Sequence, residues 1–237
     1  SINLGAGNDK FGITVGSNSH NLIFGDEGND QIKLSGQKVT EDDVIDGGIG
    51  TDTVIIDQSH NNFLNFSNIE NIVLKSIAAG DNTFSKVNTP LSISMEAGTD
   101  GSPSSFSVKK LPSTSNITVS NAPGETAGLG ALSASYNQFE STDTININTE
   151  KTVGDFKISN IGVVTLNFNE AVTAETNDFK FDKATKVIIN AQKDFLARNF
   201  VGDMSTNLNT IEELRIDSDG QIIIDSTLNT DNLEKIE

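Results

Sequence analysis

Three aspartates recur in one setting near the start of the chain. Asp9, Asp30 and Asp52 each close a Gly-x-Asp triplet, and each is followed two residues later by an apolar side chain: Phe11, Ile32 or Val54. The surrounding segments align without gaps: Ile2 to Phe11, Ile23 to Ile32 and Ile45 to Val54, beginning 21 and 22 residues apart. Glycines let a backbone take positive φ, so a tight turn can aim several carbonyl oxygens inward. The aspartate adds a carboxylate to that ring of oxygens. A hard cation such as calcium takes six to eight oxygens at about 2.3–2.6 Å, backbone carbonyls included.

Such turns need elements to hold them. The apolar residue after each Asp starts a short strand and points inward. Parallel strands stack about 4.8 Å apart, so one Asp turn lies above the next with room for an ion between them. A second repeat supports the same architecture. Asn68-Ile69-Glu70-Asn71-Ile72-Val73-Leu74 is echoed by segments starting at Asn160, Ala184, Thr210 and Asn232, the last three following at intervals of 24, 26 and 22 residues. Repeats of this period mark a solenoid whose single rungs cannot bury their apolar face alone. The expected fold is all-β, a right-handed parallel β-roll or β-solenoid, with the roll at residues 1–58 and the solenoid at 59–237. Residues 80–155 hold Pro90, Pro103, Pro112 and Pro123, and read either as wider rungs with long loops or as an inserted β-structure. A short helix is expected near Lys193 to Asn199.

The spacing Gly-Gly-x-Gly-x-Asp-x-apolar resembles the RTX repeat of secreted calcium-binding proteins, over about residues 1–58. Gly47-Gly48-Ile49-Gly50-Thr51-Asp52-Thr53-Val54 fits in full, whereas Asp26 stands at the second glycine position of the second copy and Leu4 at the first position of the first. The resemblance implies calcium ligands among Leu4, Ala6, Asp9, Gly25, Asp26, Glu27, Gly28, Asp30, Gly47, Gly48, Ile49, Gly50 and Asp52. In that family the repeats follow one another directly and ions line both edges. Here one copy occurs per 21 or 22 residues, which implies a row of ions along one edge, about two, one between each pair of turns.

Composition narrows the function further. The 237 residues carry a formal charge of −17, from 33 acidic and 16 basic residues. A phosphate backbone would be repelled, which excludes nucleic-acid binding, and cations are the natural partners. No cysteine is present, so thiolate metal sites and disulfides are excluded. No apolar run is long enough for a transmembrane helix, so no membrane insertion is expected. Neither end reads as a natural terminus, and the chain is taken as a piece of a longer protein. His20 and His60 lie in polar turns, and no His-Glu-x-x-His or Gly-x-Ser-x-Gly pattern occurs. Carboxylate pairs that cleave glycosides are usually backed by aromatic platforms, but Tyr136 is the only tyrosine and tryptophan is absent. No catalytic constellation is found, and the chain is read as a non-enzyme. Asp42-Asp43 reads as a solvated loop in preference to a further ligand on the other edge. Asp217-Ser218-Asp219-Gly220 reads as a β-turn, since the EF-hand pattern it begins fails in the following ligands; Asp217, Asp219 and Asp225 form at most a weak cation site.

RTX repeats occur in toxins, secreted enzymes, adhesins and surface-layer proteins. The Asn-Ile-Glu-Asn-Ile-Val-Leu phrase and the acidic Thr/Asn/Ser-rich composition most resemble the surface-layer class. That resemblance implies type I secretion, a location on the outer cell surface, self-assembly into a lattice, and anchoring to lipopolysaccharide through a region outside this sequence. The alternative from the same family is a stalk or ligand-binding segment of a large adhesin.

Overall fold

The computed structural model describes every residue except 17–19, 59–60, 76–79, 85, 88, 99, 139–141, 150–153, 173–177, 198, 202–210, 225–234 and 237. The chain is all-β, with no helix among the described residues. Its main face is an eleven-stranded sheet: Lys10–Val15, Gln31–Gly36, Thr53–Asp57, Asn71–Leu74, Ser92–Ala97, Asn116–Asn121, Thr142–Asn148, Val163–Phe168, Lys186–Ala191, Glu213–Ser218 and Lys235–Ile236. Neighbours in that list are hydrogen-bonded and parallel. Other faces carry a four-stranded sheet, Ile2–Asn3 to Asn65–Ser67, and a seven-stranded one, Asn62–Phe63 to Asn199–Val201. Each circuit of the chain is therefore one rung of a β-solenoid.

Alternation along the strands explains the closure. Side chains of period 2 face opposite sides of a sheet, and the inward set stacks into columns. One column runs Phe11, Ile32, Val54, Ile72, Ile93, Ile117, Ile145, Leu166, Ile189 and Ile216; the next runs Ile13, Leu34, Ile56, Leu74, Met95, Val119, Ile147, Phe168 and Ala191. From Ile32 to Ile189 the first column is fully buried. Opposite, Phe156 stacks on Phe179 with ring centroids 5.0 Å apart, and Phe168 and Phe195 close the cluster. Outside, side-chain amides form ladders: Asn190 Nδ2 donates to Asn167 Oδ1, and Asn167 Nδ2 to Asn146 Oδ1, each at 2.8 Å.

Residues 80–155 form rungs of these same sheets rather than a separate insertion. Ile72, Ile93, Ile117 and Ile145 stay in one column while the circuit lengthens from 21 to 24 to 28 residues, the surplus leaving as loops and as register shifts between Ser104 and Phe106 and between Val108 and Leu111. Two local expectations are corrected. No helix forms near residues 193–197: Phe195–Ala197 is a strand paired with Ile222–Ile224, with Phe195 and Ala197 buried, a period-2 pattern that a helix could not bury. The copy placed at Ala184 also sits one residue off. Val187 pairs with Val164 and with Leu214, intervals of 23 and 27 residues, and the slip matters because one residue reverses every side chain.

Candidate metal centre

The three motif aspartates stand one above another at the corner where the four-stranded sheet meets the main sheet. Lys10, Gln31 and Thr53 are register partners, which brings Asp9, Asp30 and Asp52 into one column just before the strands. A hydrogen-bond ladder ties them together. The Asp9 amide donates to Asp30 Oδ1 at 2.8 Å, and the Asp30 amide donates to Asp52 Oδ1 at 2.7 Å. The Asp52 amide in turn donates to Glu70 Oε2 at 2.8 Å, so the ladder has a fourth carboxylate. Outside it, the Asn29 amide donates to Asn8 Oδ1 and the Thr51 amide to Asn29 Oδ1.

One oxygen of Asp30 and one of Asp52 are used in this way, and the other is not. Asp9 Oδ2, Asp30 Oδ2 and Asp52 Oδ2 are buried with no hydrogen-bond partner, and Asp30 and Asp52 are only 2% and 0% exposed. A buried anionic oxygen left unpaired is costly unless a counter-charge meets it. Among the described residues no Lys, Arg or His forms an ion pair with any of these carboxylates. The consequence appears at Asp52. Burial pushes its carboxyl above the ordinary value, the negative charges of Asp30, Glu70 and Asp46 add to that, and the amide of Asp30 opposes it.

Glycines keep the space beside these oxygens free of side chains. A Cβ at Gly25 would overlap both the Gly47 carbonyl oxygen and Asp30 Oδ2, and a Cβ at Gly47 would overlap the Asn68 carbonyl oxygen and Asp52 Oδ2. At each place a free carboxylate oxygen and a carbonyl of the next rung converge beside a residue with no side chain. Farther out, Gly28 and Gly50 at φ 136° and 155° approach the carbonyls of Gly7 and Gly28 just as closely. The donor set is all oxygen, hard and anionic, which fits calcium. No group of three His, Cys, Asp or Glu side chains capable of holding a metal occurs among the described residues; the arrangement here is one carboxylate oxygen per rung beside backbone carbonyls.

The other motif residues divide. Asp26 and Glu27 lie exposed on the outer turn, where their carbonyls accept the amides of Ile49 and Gly7. With Ala6, Gly48 and Ile49 they line an open surface depression, Ile49 at 73% exposure. Leu4 is the register equivalent of Gly25 and is partly buried against the core. The remaining acidic segments behave differently. Asp43 is a buried cap and no solvated loop residue: Oδ1 accepts the amide and Nδ2 of Asn21, and Oδ2 accepts the amide and Oγ1 of Thr40. Asp42 lies 3.3 Å from His20, both exposed. Asp217 pairs with Arg215 at 3.5 Å; Asp225 and His60 lie outside the described residues.

Sequence reading missed Glu70 because its rung has no glycine and a shorter turn. The available signal was its place one residue before Asn71, in phase with Asp52 before Thr53. The chain matches no family model, no curated protein and no solved structure.

Proposed function

We propose that this chain is a structural segment of a secreted protein whose folding is completed by calcium, and that the parent assembles as a surface layer outside the cell. The observation carrying the calcium part is the column of buried, unpartnered oxygens, Asp9 Oδ2, Asp30 Oδ2 and Asp52 Oδ2. Asp30 and Asp52 hold the amide of the preceding rung with one oxygen, which fixes the carboxylate and presents the second beside Gly25 or Gly47. A bound calcium supplies positive charge where the described residues offer only negative. Without it, adjacent carboxylates repel and the rungs carrying them are destabilised. Extracellular calcium is millimolar, suited to weak sites of about 10⁻⁴–10⁻³ M, and ten times the dissociation constant stabilises by roughly 1.4 kcal/mol per ion.

The assembly part rests on the RTX resemblance, the net charge of −17 and the solenoid form. Acidic subunits pack into a lattice only where cations screen or bridge them, so the same ions couple folding to assembly. Anchoring to lipopolysaccharide belongs to a region outside this sequence. Calcium titration followed by circular dichroism, on wild type and Asp30→Ala, tests the folding step: β signal should rise with calcium and the variant should need more of it. A chelator-treated protein that keeps its full β signal and melting temperature overturns the reading. Two-dimensional arrays in electron micrographs of the calcium-loaded protein support the coat. Monomers that instead bind a host glycan point to the adhesin.

A further inference from the structure

The fourth rung carries neither the glycine turn nor an aspartate, yet it reproduces the geometry of the third. Asp46 pairs with Ser67 and Thr53 with Asn71, which places Asn68 at the position of Gly47 and Glu70 at that of Asp52. The turn between them is reduced to Ile69, whose side chain is buried in the core. Asn68 takes φ 51° and turns the corner without a glycine. Its Nδ2 donates to Asp46 Oδ1 at 2.7 Å, and that oxygen also accepts the Gly48 amide. The corner is therefore held, and the Asn68 carbonyl meets Asp52 Oδ2 beside Gly47 as the Gly47 carbonyl meets Asp30 Oδ2 beside Gly25. Asp52 is fully buried and its Oδ2 has no partner. Glu70 Oε2 accepts the Asp52 amide, and a carboxylate retains further lone pairs for a metal.

We infer that a calcium ion binds between the third and fourth rungs, ligated by Asp52 Oδ2, the Asn68 carbonyl and the Glu70 carboxylate, a site outside the Gly-x-Asp motif. The inference rests on the calcium reading of the column. It also redistributes the ions. The first rung has Leu4 where Gly25 and Gly47 stand, so the two side-chain-free cradles lie at the second-to-third and third-to-fourth rungs. Glu70 closes the row: in the fifth rung the equivalent position is Leu91, one residue before Ser92, the partner of Asn71, and it is buried and apolar.

Isothermal titration of the whole chain with calcium, wild type against Glu70→Gln, tests this. Glutamine keeps an oxygen for the Asp52 amide and removes the charge, so the metal-free circular dichroism should match wild type while one site weakens at least tenfold. A wild type that takes up no calcium sinks the proposed function, and this site with it. A wild type that binds, with Glu70→Gln binding equally many ions at equal affinity, overturns this site alone. A second measurement needs no variant. Substoichiometric Gd³⁺ should broaden the amide resonances of Asn68, Ile69 and Asn71 in the wild type; broadening confined to the turns of Asp9 and Asp30 refutes the assignment.

Discussion

Asp30→Asn should change sign with calcium. In the wild type Asp30 Oδ1 accepts the Asp9 amide at 2.8 Å, while Oδ2 is buried without a partner beside the Gly47 carbonyl. Asparagine keeps the first oxygen and replaces the second by an amide group that can donate to that carbonyl. In chelator the substitution removes a buried unpaired anion and supplies a donor, a gain of about 1–3 kcal/mol. With calcium the balance reverses. A site with a dissociation constant of about 10⁻⁴ M at roughly 10 mM calcium stabilises the folded state by about 2.7 kcal/mol, and the variant forfeits most of that. Its amide nitrogen also cannot ligate a cation. Urea unfolding of both proteins, in chelator and in calcium, reads the difference directly. The variant should unfold later than wild type in the first buffer and earlier in the second. Equal shifts in both buffers, or a wild type indifferent to calcium, would show that Oδ2 is not a metal ligand.

Asp143 offers a test independent of calcium. It is 2% exposed with both carboxyl oxygens unpartnered, and burial raises its pKa from the ordinary 3.8 to about 7. The folded state thus keeps a proton that the unfolded chain releases, so stability falls as pH rises between those values and the full penalty, roughly 4 kcal/mol, holds above pH 7; Asp143→Asn should melt higher than wild type at pH 8 and match it near pH 3. Gly47→Ala should disrupt the third and fourth rungs by several kcal/mol, since its Cβ would overlap the Asn68 carbonyl oxygen, whereas Gly12→Ala meets nothing within 4 Å; melting temperatures of the two variants decide it. Phe179→Ala removes a ring packed on Phe156, Phe168, Phe181 and Phe195 and should cost about 3–5 kcal/mol, seen as a lower urea midpoint.

Much of the architecture was legible because two periods coincide. Phe11, Ile32 and Val54 sit at a fixed distance from their aspartates, and that phase is what places them in one column and the carboxylates in another. Where the circuit length varies, reading fails locally. The slip at Ala184 arose because Lys183, at φ 67°, turns the corner that Asn160 turns at φ 59°, and lysine carries no turn signal. Phe195–Ala197 looked helical because three strand residues are too few to show a period. Asp43 looked solvated because its partners, Asn21 and Thr40, lie on the preceding rung and across a turn. For Phe195–Ala197 the deciding contact runs between rungs, to Ile222–Ile224, as does the Asn21 contact of Asp43, and no local window contains either.

The carboxylate column shows where the proposed calcium row would end. One inward position per rung, two residues before the paired apolar residues, reads Asp9, Asp30, Asp52, Glu70, Leu91, Ser115, Asp143, Val164, Val187 and Leu214. The run of charges spans the two glycine cradles, Gly25 and Gly47, where the next rung supplies a carbonyl, with Asp9 and Glu70 at its two ends. Beyond Glu70 the glycine cradle is absent and the column turns apolar, with Ser115 Oγ still taking the amide of Leu91 at 3.1 Å. Asp143 has neither cradle nor amide, and it is the one carboxyl in the column driven to about 7. On the calcium reading, the same position holds an anion where a cation can reach it and favours a neutral group where none can. Local room beside the carboxylate, more than its sequence motif, decides which rungs are ionic.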